Sequence, residues 1–199
     1  MDFFWVNPLL VRQPKKFWSW NSEYHCFDPY GRQVAHVHQD TSDSGSRFFQ
    51  QWMTGSSQSK VFVRDAWGHV RLVIQKHWAL MTATTHVLRP DGRPVGTIEQ
   101  DFSFFKSGFT LIDPWKRRIG TIEGDFLARD FRISDHQQHE VARVDRRIPD
   151  LGELFSAADT YAMHRRYPSL PEPLNTLVVA SAIIIDLVLH EKSSGSAVF

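Results

Sequence analysis

Residues 174–190 read LNTLVVASAIIIDLVLH and form the only long run of near-continuous hydrophobicity in the chain. A membrane-spanning helix needs about 20 mainly apolar residues and rarely accepts an ionisable group near its centre. The apolar run from Leu177 to Leu189 is shorter than that, and Ser181 and Asp186 interrupt it. These features predict a helix that is buried on all sides by protein and not one immersed in lipid.

The residues that flank this run set the limits of the predicted helix. Pro171 and Pro173 lie where proline suits the first helical turn, and Lys192 lies where the helix dipole is negative. The β-branched residues inside the run would also suit a strand, but its length favours a helix over about residues 173–191.

Asp186 is a carboxylate within the predicted helix, among isoleucine and leucine side chains. Burying it alone would be costly, so we expect a hydrogen-bond donor, such as an arginine or tyrosine that projects inward from the surrounding strands. Asp186 is then a satisfied buried polar group that fixes the register of the helix. The alternative is a role as an ion or lipid-headgroup relay.

The chain before the helix repeats one unit, in which a half-apolar strand, a turn rich in Asp, Pro and Gly, and a second strand follow each other. Asp accepts backbone hydrogen bonds in such turns, Pro presets φ, and Gly takes a positive φ without strain. The repeats therefore predict antiparallel hairpins. Their strands are 24–27 with 33–38, 61–64 with 70–75, 86–89 with 95–99, 109–112 with 119–123, and 131–134 with 140–146.

The remaining segments are less regular. Residues 1–22 are aromatic and basic, which predicts an opening strand with alternate rings in the core or, alternatively, a foot at a membrane interface. Residues 39–46 and 55–59 are rich in Ser, Gly and Asp and predict exposed loops. Residues 161–166 predict a last strand.

A helix that is apolar all round must be wrapped, and the strands before it are the available wrapping. The predicted fold is therefore all-β with one helix: a closed or nearly closed antiparallel barrel threaded by its own C-terminal helix. At 199 residues with 42% apolar residues, the chain can bury a sizeable core as one domain. We expect that domain to cover residues 1–192, followed by a flexible tail at 193–199.

Composition limits the expected partners. The formal net charge is +1, so no bulk attraction to nucleic acid is expected. Cys26 is the only cysteine, which fits a reducing compartment such as the cytoplasm. No basic region precedes the first apolar residues, so a cleaved signal peptide is not expected.

The repeated strand–D-x-x-G–strand units, the segments FRISD at 131–135 and EVARV at 140–144, and the terminal helix with Ile185-Asp186 carry a family resemblance. Together they resemble the phospholipid scramblase and LURP-one-related group, which shares the Tubby C-terminal fold. The resemblance covers roughly residues 9–192 and implies a barrel of about twelve strands around a central hydrophobic helix.

The resemblance also implies a link to lipid, because Tubby-like members bind phosphoinositide headgroups through basic side chains and scramblases are credited with calcium-dependent lipid movement. The segment that corresponds to the scramblase calcium site, residues 155–164, offers Asp159 as its one carboxylate. Calcium takes six to eight oxygen ligands, so a dedicated calcium site is not expected there.

Motifs for catalysis or metal binding are not found, so we expect no enzyme activity, no cofactor and no metal. HQQHE at 136–140 differs from the helical H-E-x-x-H motif and falls on a predicted turn. His36 and His38 share a strand face, but alternation places His25 and Cys26 on opposite faces of the neighbouring strand.

Clustered basic residues are the candidate lipid-headgroup ligands, because arginine binds phosphate with two parallel hydrogen bonds. The alternative for them is a solvated hairpin tip or strand exterior. The candidates are Lys116, Arg117, Arg118, Arg143, Arg146, Arg147, Arg165 and Arg166.

The expected function is that of a non-catalytic, scramblase-family domain that associates with anionic phospholipid or phosphoinositide headgroups. Its expected location is the cytoplasm, peripheral to the inner face of the plasma membrane. Two alternatives remain open at this point: true transbilayer scrambling with the C-terminal helix inserted, and a soluble barrel that binds a small molecule or a protein.

Overall fold

The computed structural model describes residues 2–12, 23–39, 58–79, 82–103, 106–125, 130–145 and 160–195. Within these ranges twelve strands precede one long helix, which confirms the predicted all-β class. The strands are β1 Leu9–Arg12, β2 Glu23–Phe27, β3 Gln33–Gln39, β4 Gln58–Asp65, β5 Val70–Ala79, β6 Thr82–Leu88, β7 Pro94–Ser103, β8 Lys106–Ile112, β9 Arg118–Asp125, β10 Asp130–Asp135, β11 Glu140–Asp145 and β12 Thr160–Arg165.

Every strand pairs antiparallel with the strand before it and the strand after it in the chain. The barrel closes where β1 pairs with β12, with Leu9 opposite Met163 and Arg12 opposite Thr160. Closure gives every strand two neighbours, so the barrel has no edge strand of the kind that promotes edge-to-edge aggregation. The predicted closed antiparallel barrel of about twelve strands is confirmed.

The helix, α1, runs from Leu174 to Gly195, and its residues up to Ile185 lie inside the barrel. All twelve side chains from Leu174 to Ile185 are buried, which confirms a helix wrapped on every side. The Ser181 hydroxyl donates to the carbonyl oxygen of Leu177 at 2.7 Å, so this polar residue is satisfied by the helix itself.

The predicted ends of the helix need one correction. It begins directly after Pro173, as predicted, and the Glu172 carboxylate accepts hydrogen bonds from the Thr176 hydroxyl at 2.7 Å and the Thr176 N–H at 3.3 Å. This negative charge suits the positive end of the helix dipole. At the other end the helix continues to Gly195, so residues 193–195 are helical and not part of a flexible tail. The side chain of Asp186 lies outside the described part of α1, and its expected partner stays a prediction.

Two glycines in near-identical segments, GTIE at 96–99 and GTIE at 120–123, allow the helix to approach the barrel wall. A Cβ on Gly96 would clash with the carbonyl oxygen of Ile112 and lie 2.9 Å from Cδ1 of Leu177 in α1. A Cβ on Gly120 would lie 2.6 Å from the carbonyl oxygen of Ser134. The repeated Gly is thus a packing requirement of the helix and the adjacent strands.

The opening segment does not begin with the strand that the sequence predicts. Phe3–Trp5 forms a 3₁₀ helix, and a strand begins only at Leu9. Phe3 is buried against the core, and the carboxylate of Asp2 pairs with Arg71 at 2.8 Å. Residues 2–8 therefore link the β12–β1 side of the barrel to β5.

The predicted loop at residues 55–59 also needs a correction. Residues 58–59 belong to β4, while residues 40–57 lie outside the described residues.

Candidate functional site

Five turns of one kind lie at the same end of the barrel, which we call the turn end. Consecutive strands alternate in direction, so the connections after β2, β4, β6, β8 and β10 share one end. The start of β1 and the end of β12 lie there too, because Leu9 pairs with Met163 and Leu10 with Phe27. The five turns are 28–32, 65–69, 89–93, 113–117 and 135–139.

An aspartate at the first position organises four of these turns, and in three of them, Asp28, Asp65 and Asp113, it is buried. In the first turn, Oδ1 of Asp28 accepts hydrogen bonds of 2.9 Å from the N–H groups of both Tyr30 and Arg32. Asp65, Asp113 and Asp135 accept the equivalent pairs in their turns. The 89–93 turn differs, because Arg89 takes the first position.

The fourth residue of each turn has a positive φ, which permits the bulge that follows it. Glycine adopts this conformation without strain, whereas other residues do so at a cost. The φ values are 78° for Gly31, 87° for Gly68, 83° for Gly92, 65° for Lys116 and 66° for Gln138.

Hydrogen bonding keeps the turn aspartates charged. Burial raises the pKa of Asp28, but the N–H and guanidinium of Arg32 and the N–H of Tyr30 outweigh it, so the pKa lies below its usual value. At Asp65 the N–H groups of His69 and Trp67 likewise overcome the effect of burial and lower the pKa. The turns are therefore held by carboxylates that resist protonation.

Large aromatic side chains project from this end. The third position of three turns holds Tyr30, Trp67 or Trp115, and the segments that flank β1 and β12 add Trp5 and Tyr167. We call these five residues the aromatic rim. They are the only exposed large hydrophobic side chains in the described part of the chain, with exposed fractions of 44% for Trp5, 84% for Tyr30, 68% for Trp67, 71% for Trp115 and 48% for Tyr167.

Positive charges accompany the rim. The Arg32 guanidinium lies 5.5 Å from the Tyr30 ring centroid, and that of Arg117 lies 5.2 Å from the Trp115 ring centroid. Both arginines also pair with their turn aspartates at 2.7 Å. Lys116 and Arg118 are exposed and have no carboxylate partner among the residues that the structure describes.

The sequence-predicted basic residues separate into groups. Lys116, Arg117 and Arg118 lie together at the turn end. Arg166 lies there as well but pairs with Glu140 at 3.0 Å. Arg143 lies toward the other end and forms two hydrogen bonds of 2.6 and 2.8 Å with Asp130, which raise its pKa. Arg146 and Arg147 fall outside the described residues.

Arg165 was predicted as a headgroup ligand at the surface, and this prediction is wrong because the residue is only 5% exposed. Its guanidinium donates to the carbonyl oxygens of Phe4 and Val6 at 2.5 and 3.0 Å, and to Oδ1 of Asn175 at 2.8 Å. Burial lowers its pKa. Arg165 therefore ties the N-terminal segment, β12 and α1 together and is not available to a headgroup.

His25 and Cys26 are neighbours on β2 but lie on opposite faces of the strand. Cys26 is buried in the barrel interior, while His25 is partly exposed and lies directly opposite His36 in the register of β2 and β3. The predicted opposite faces of His25 and Cys26 are confirmed. In the described ranges, no group of three His, Cys, Asp or Glu side chains is placed to hold a metal ion.

The aromatic rim was not predicted from the sequence. The signal was present, because Tyr30, Trp67 and Trp115 each lie two residues after a turn aspartate. An apolar residue at a solvated turn tip is unusual once the turn has been recognised.

Searching the described residues for a helix both long and apolar enough to cross a membrane finds none.

A closed up-and-down barrel that encloses its own C-terminal helix defines the structural class of this protein. The family model for LURP-one-related proteins matches residues 9–186, so the chain belongs to the LURP-one-related family. Comparison with curated proteins and with solved structures gives no significant match.

Proposed function

We propose that this LURP-one-related barrel is a non-catalytic protein that associates with anionic phospholipid or phosphoinositide headgroups, as a peripheral protein on the cytoplasmic face of the plasma membrane. The role is related to that of the phospholipid scramblase group which the sequence resembles. The observation that carries the proposal is the position of Lys116 and Arg118. Both are exposed at the turn end and both lack a carboxylate partner among the described residues.

The positive charge at this turn contrasts with the pairing of other cations. Arg143 pairs with Asp130, Arg93 with Asp91 and Arg166 with Glu140. Paired charges are largely neutralised, whereas each unpaired Lys or Arg near an anionic membrane contributes about 1 kcal/mol to binding. The excess at residues 116–118 is therefore the feature best suited to an anionic surface.

Lys116 supports the proposal independently. It occupies the left-handed position that Gly31, Gly68 and Gly92 occupy in three other turns. A non-glycine residue there costs of order 1 kcal/mol, so this turn retains a cation at some cost in stability, whereas Gln138 places an uncharged residue at the same position of the 135–139 turn.

Co-sedimentation with vesicles tests the proposal. The detergent-free protein should bind vesicles that contain phosphatidylserine or a phosphoinositide and not vesicles of phosphatidylcholine alone, and added salt should weaken binding. The double variant Lys116→Glu/Arg118→Glu should lower the affinity at least about tenfold, since two attractive charges become repulsive.

Lys60→Glu is the matched control. Lys60 is exposed on β4 toward the opposite end of the barrel, so reversing it changes the net charge of the protein without changing the turn end. The single variant Lys116→Glu is measured beside it, and a loss of binding in Lys60→Glu equal to that in Lys116→Glu would show that net charge alone governs binding. Monodisperse protein that binds no vesicle would overturn the proposal in favour of a soluble ligand or a protein partner.

A further inference from the structure

We propose that the aromatic rim inserts into the interfacial layer of the bilayer, so that the barrel stands with its turn end on the membrane and the N-terminus of α1 toward it. The inference rests on the proposed lipid association but concerns a different contact, because it assigns binding to Trp5, Tyr30, Trp67, Trp115 and Tyr167 in addition to the basic residues. It also fixes the orientation of the molecule.

The rim consists of two residue types only, Trp and Tyr. The exposed large hydrophobic residues in the described part of the chain are all Trp or Tyr, while Phe3, Phe109 and Phe131 are buried. Trp and Tyr combine an apolar ring with a polar group and concentrate at membrane–water interfaces. Trp and Tyr are also enriched at protein interfaces, so their distribution around the barrel must distinguish the two kinds of partner.

The rim residues are spread around the turn end. The turn end has six positions around its circumference: the five turns and the pair of segments that flank β1 and β12. Four of the six carry rim residues, and the 89–93 and 135–139 turns carry Asp91 and Gln137 at the third position instead. Contacts spread around an end suit a plane, whereas a protein hot spot concentrates its anchors in one pocket.

Positive charge lies beside several of the rim rings. Guanidinium groups lie over Tyr30, Trp115 and Trp5, the last being that of Arg165 at 5.7 Å from the ring centroid. A cation over an aromatic face sits at the depth of the ring. Rings inserted at headgroup level would thus bring the charges next to Trp115, including Lys116 and Arg118, which have no carboxylate partner among the described residues, to the phosphates.

The rim is also preformed. The aspartates hold each turn through two backbone hydrogen bonds, and buried Phe3 and Val6 pack the N-terminal segment onto the core at this end. Little ordering is required on docking, so the aromatic area contributes to affinity with a small entropic loss.

Rim variants test the inference on the full chain. Trp67→Ala/Trp115→Ala should weaken binding to phosphatidylcholine–phosphatidylserine vesicles about tenfold and should remove most of the binding that persists at high salt. Gln137→Ala is the matched control, because it changes the same turn position without removing an aromatic ring, and it should bind as the unaltered protein does. Circular dichroism melts establish that each variant is folded.

A gain-of-binding variant covers the case in which the double alanine variant fails to fold. Gln137→Trp adds an aromatic residue at a vacant rim position and should strengthen salt-resistant binding severalfold. Because the chain already has seven tryptophans, the readout is a difference: brominated lipids should quench the tryptophan fluorescence of Gln137→Trp by a larger amount than that of the unaltered protein if the added ring enters the interface. Absence of both effects would overturn the rim proposal.

The outcomes separate the two proposals. If Lys116→Glu/Arg118→Glu abolishes binding while the rim variants bind normally, the contact is electrostatic and the rim inference fails alone. If the unaltered protein binds no vesicle, both fail and the rim is a surface for another class of partner. Loss of salt-resistant binding in Trp67→Ala/Trp115→Ala, with quenching of the Gln137→Trp side chain, supports insertion.

Discussion

Nη1 of Arg165 donates a 2.8 Å hydrogen bond to Oδ1 of Asn175, so the last strand of the barrel is tied to the first turn of the helix that the barrel encloses. The same guanidinium donates to the carbonyl oxygens of Phe4 and Val6. One buried cation thus joins three segments that are far apart in the sequence. Its pairing with neutral acceptors makes the contact sensitive to any change in their placement.

Arg165→Met is expected to lower the free energy of unfolding by about 3 kcal/mol, because it removes the donor of the Val6 carbonyl and of Oδ1 of Asn175 and leaves the Phe4 carbonyl with only its 3.4 Å bond from Asn175. Urea denaturation measures the loss. Arg166→Met is the control, since its exposed ion pair with Glu140 should contribute less than about 1 kcal/mol. Equal losses in the two variants would contradict the role assigned to Arg165.

Gly96→Ala is expected to destabilise the barrel by about 2 kcal/mol or more, because the new methyl group meets the Ile112 carbonyl oxygen and Cδ1 of Leu177. Gly108→Ala provides the comparison, as its Cβ would meet a single atom, the Ile122 carbonyl oxygen, at 3.0 Å. Thermal and urea unfolding should rank Gly96→Ala as the more damaging change. The reverse order would show that α1 and β7 are not in tight contact at this position.

Asp65 makes stability depend on pH in the acid range. Its pKa is lower in the folded chain, so its bonds add stability above the unfolded value of about 3.9, and this contribution is lost as the pH falls below that value. Asp65→Asn retains an acceptor for the N–H groups of Trp67 and His69 but cannot titrate. It should cost about 1 kcal/mol near neutral pH and flatten the decline in acid.

Urea unfolding of both proteins at a series of pH values from neutral to acid gives the two slopes. Asp65→Ala is the reference for complete loss of the turn bonds and should be the less stable variant near neutral pH. If Asp65→Asn declined in acid as steeply as the unaltered protein, Asp65 would not be a source of the pH dependence.

Lys116→Gly should separate stability from binding. Glycine relieves the positive φ of 65° at this position, so the free energy of unfolding should rise by up to about 1 kcal/mol. The same change removes an exposed cation, and affinity for phosphatidylserine vesicles should fall severalfold. Gln138→Gly relieves the same kind of strain in another turn and should leave vesicle binding unchanged. Unchanged binding in Lys116→Gly would remove this residue from the site.

The five hairpins were predictable from sequence because their interactions are local. Asp28 and Arg32, four residues apart, set the first turn, and strand alternation then assigns each side chain to one face. The buried helix was predictable for a similar reason, since the apolar run from Leu177 to Leu189 has only two polar interruptions, Ser181 and Asp186. Recognition of these patterns requires no knowledge of distant contacts.

Interactions across the chain decided the rest. The sequence predicts Arg165 as one of a pair of surface arginines. Its burial follows from the pairing of β1 with β12, which brings Phe4 and Asn175 into contact with it. Trp67 and Trp115 are 48 residues apart and share one end because the strands between them alternate in direction within a closed ring. Local chemistry thus specifies each hairpin and the helix, whereas the assembly of the turn end depends on strand direction and barrel closure, which no single segment encodes.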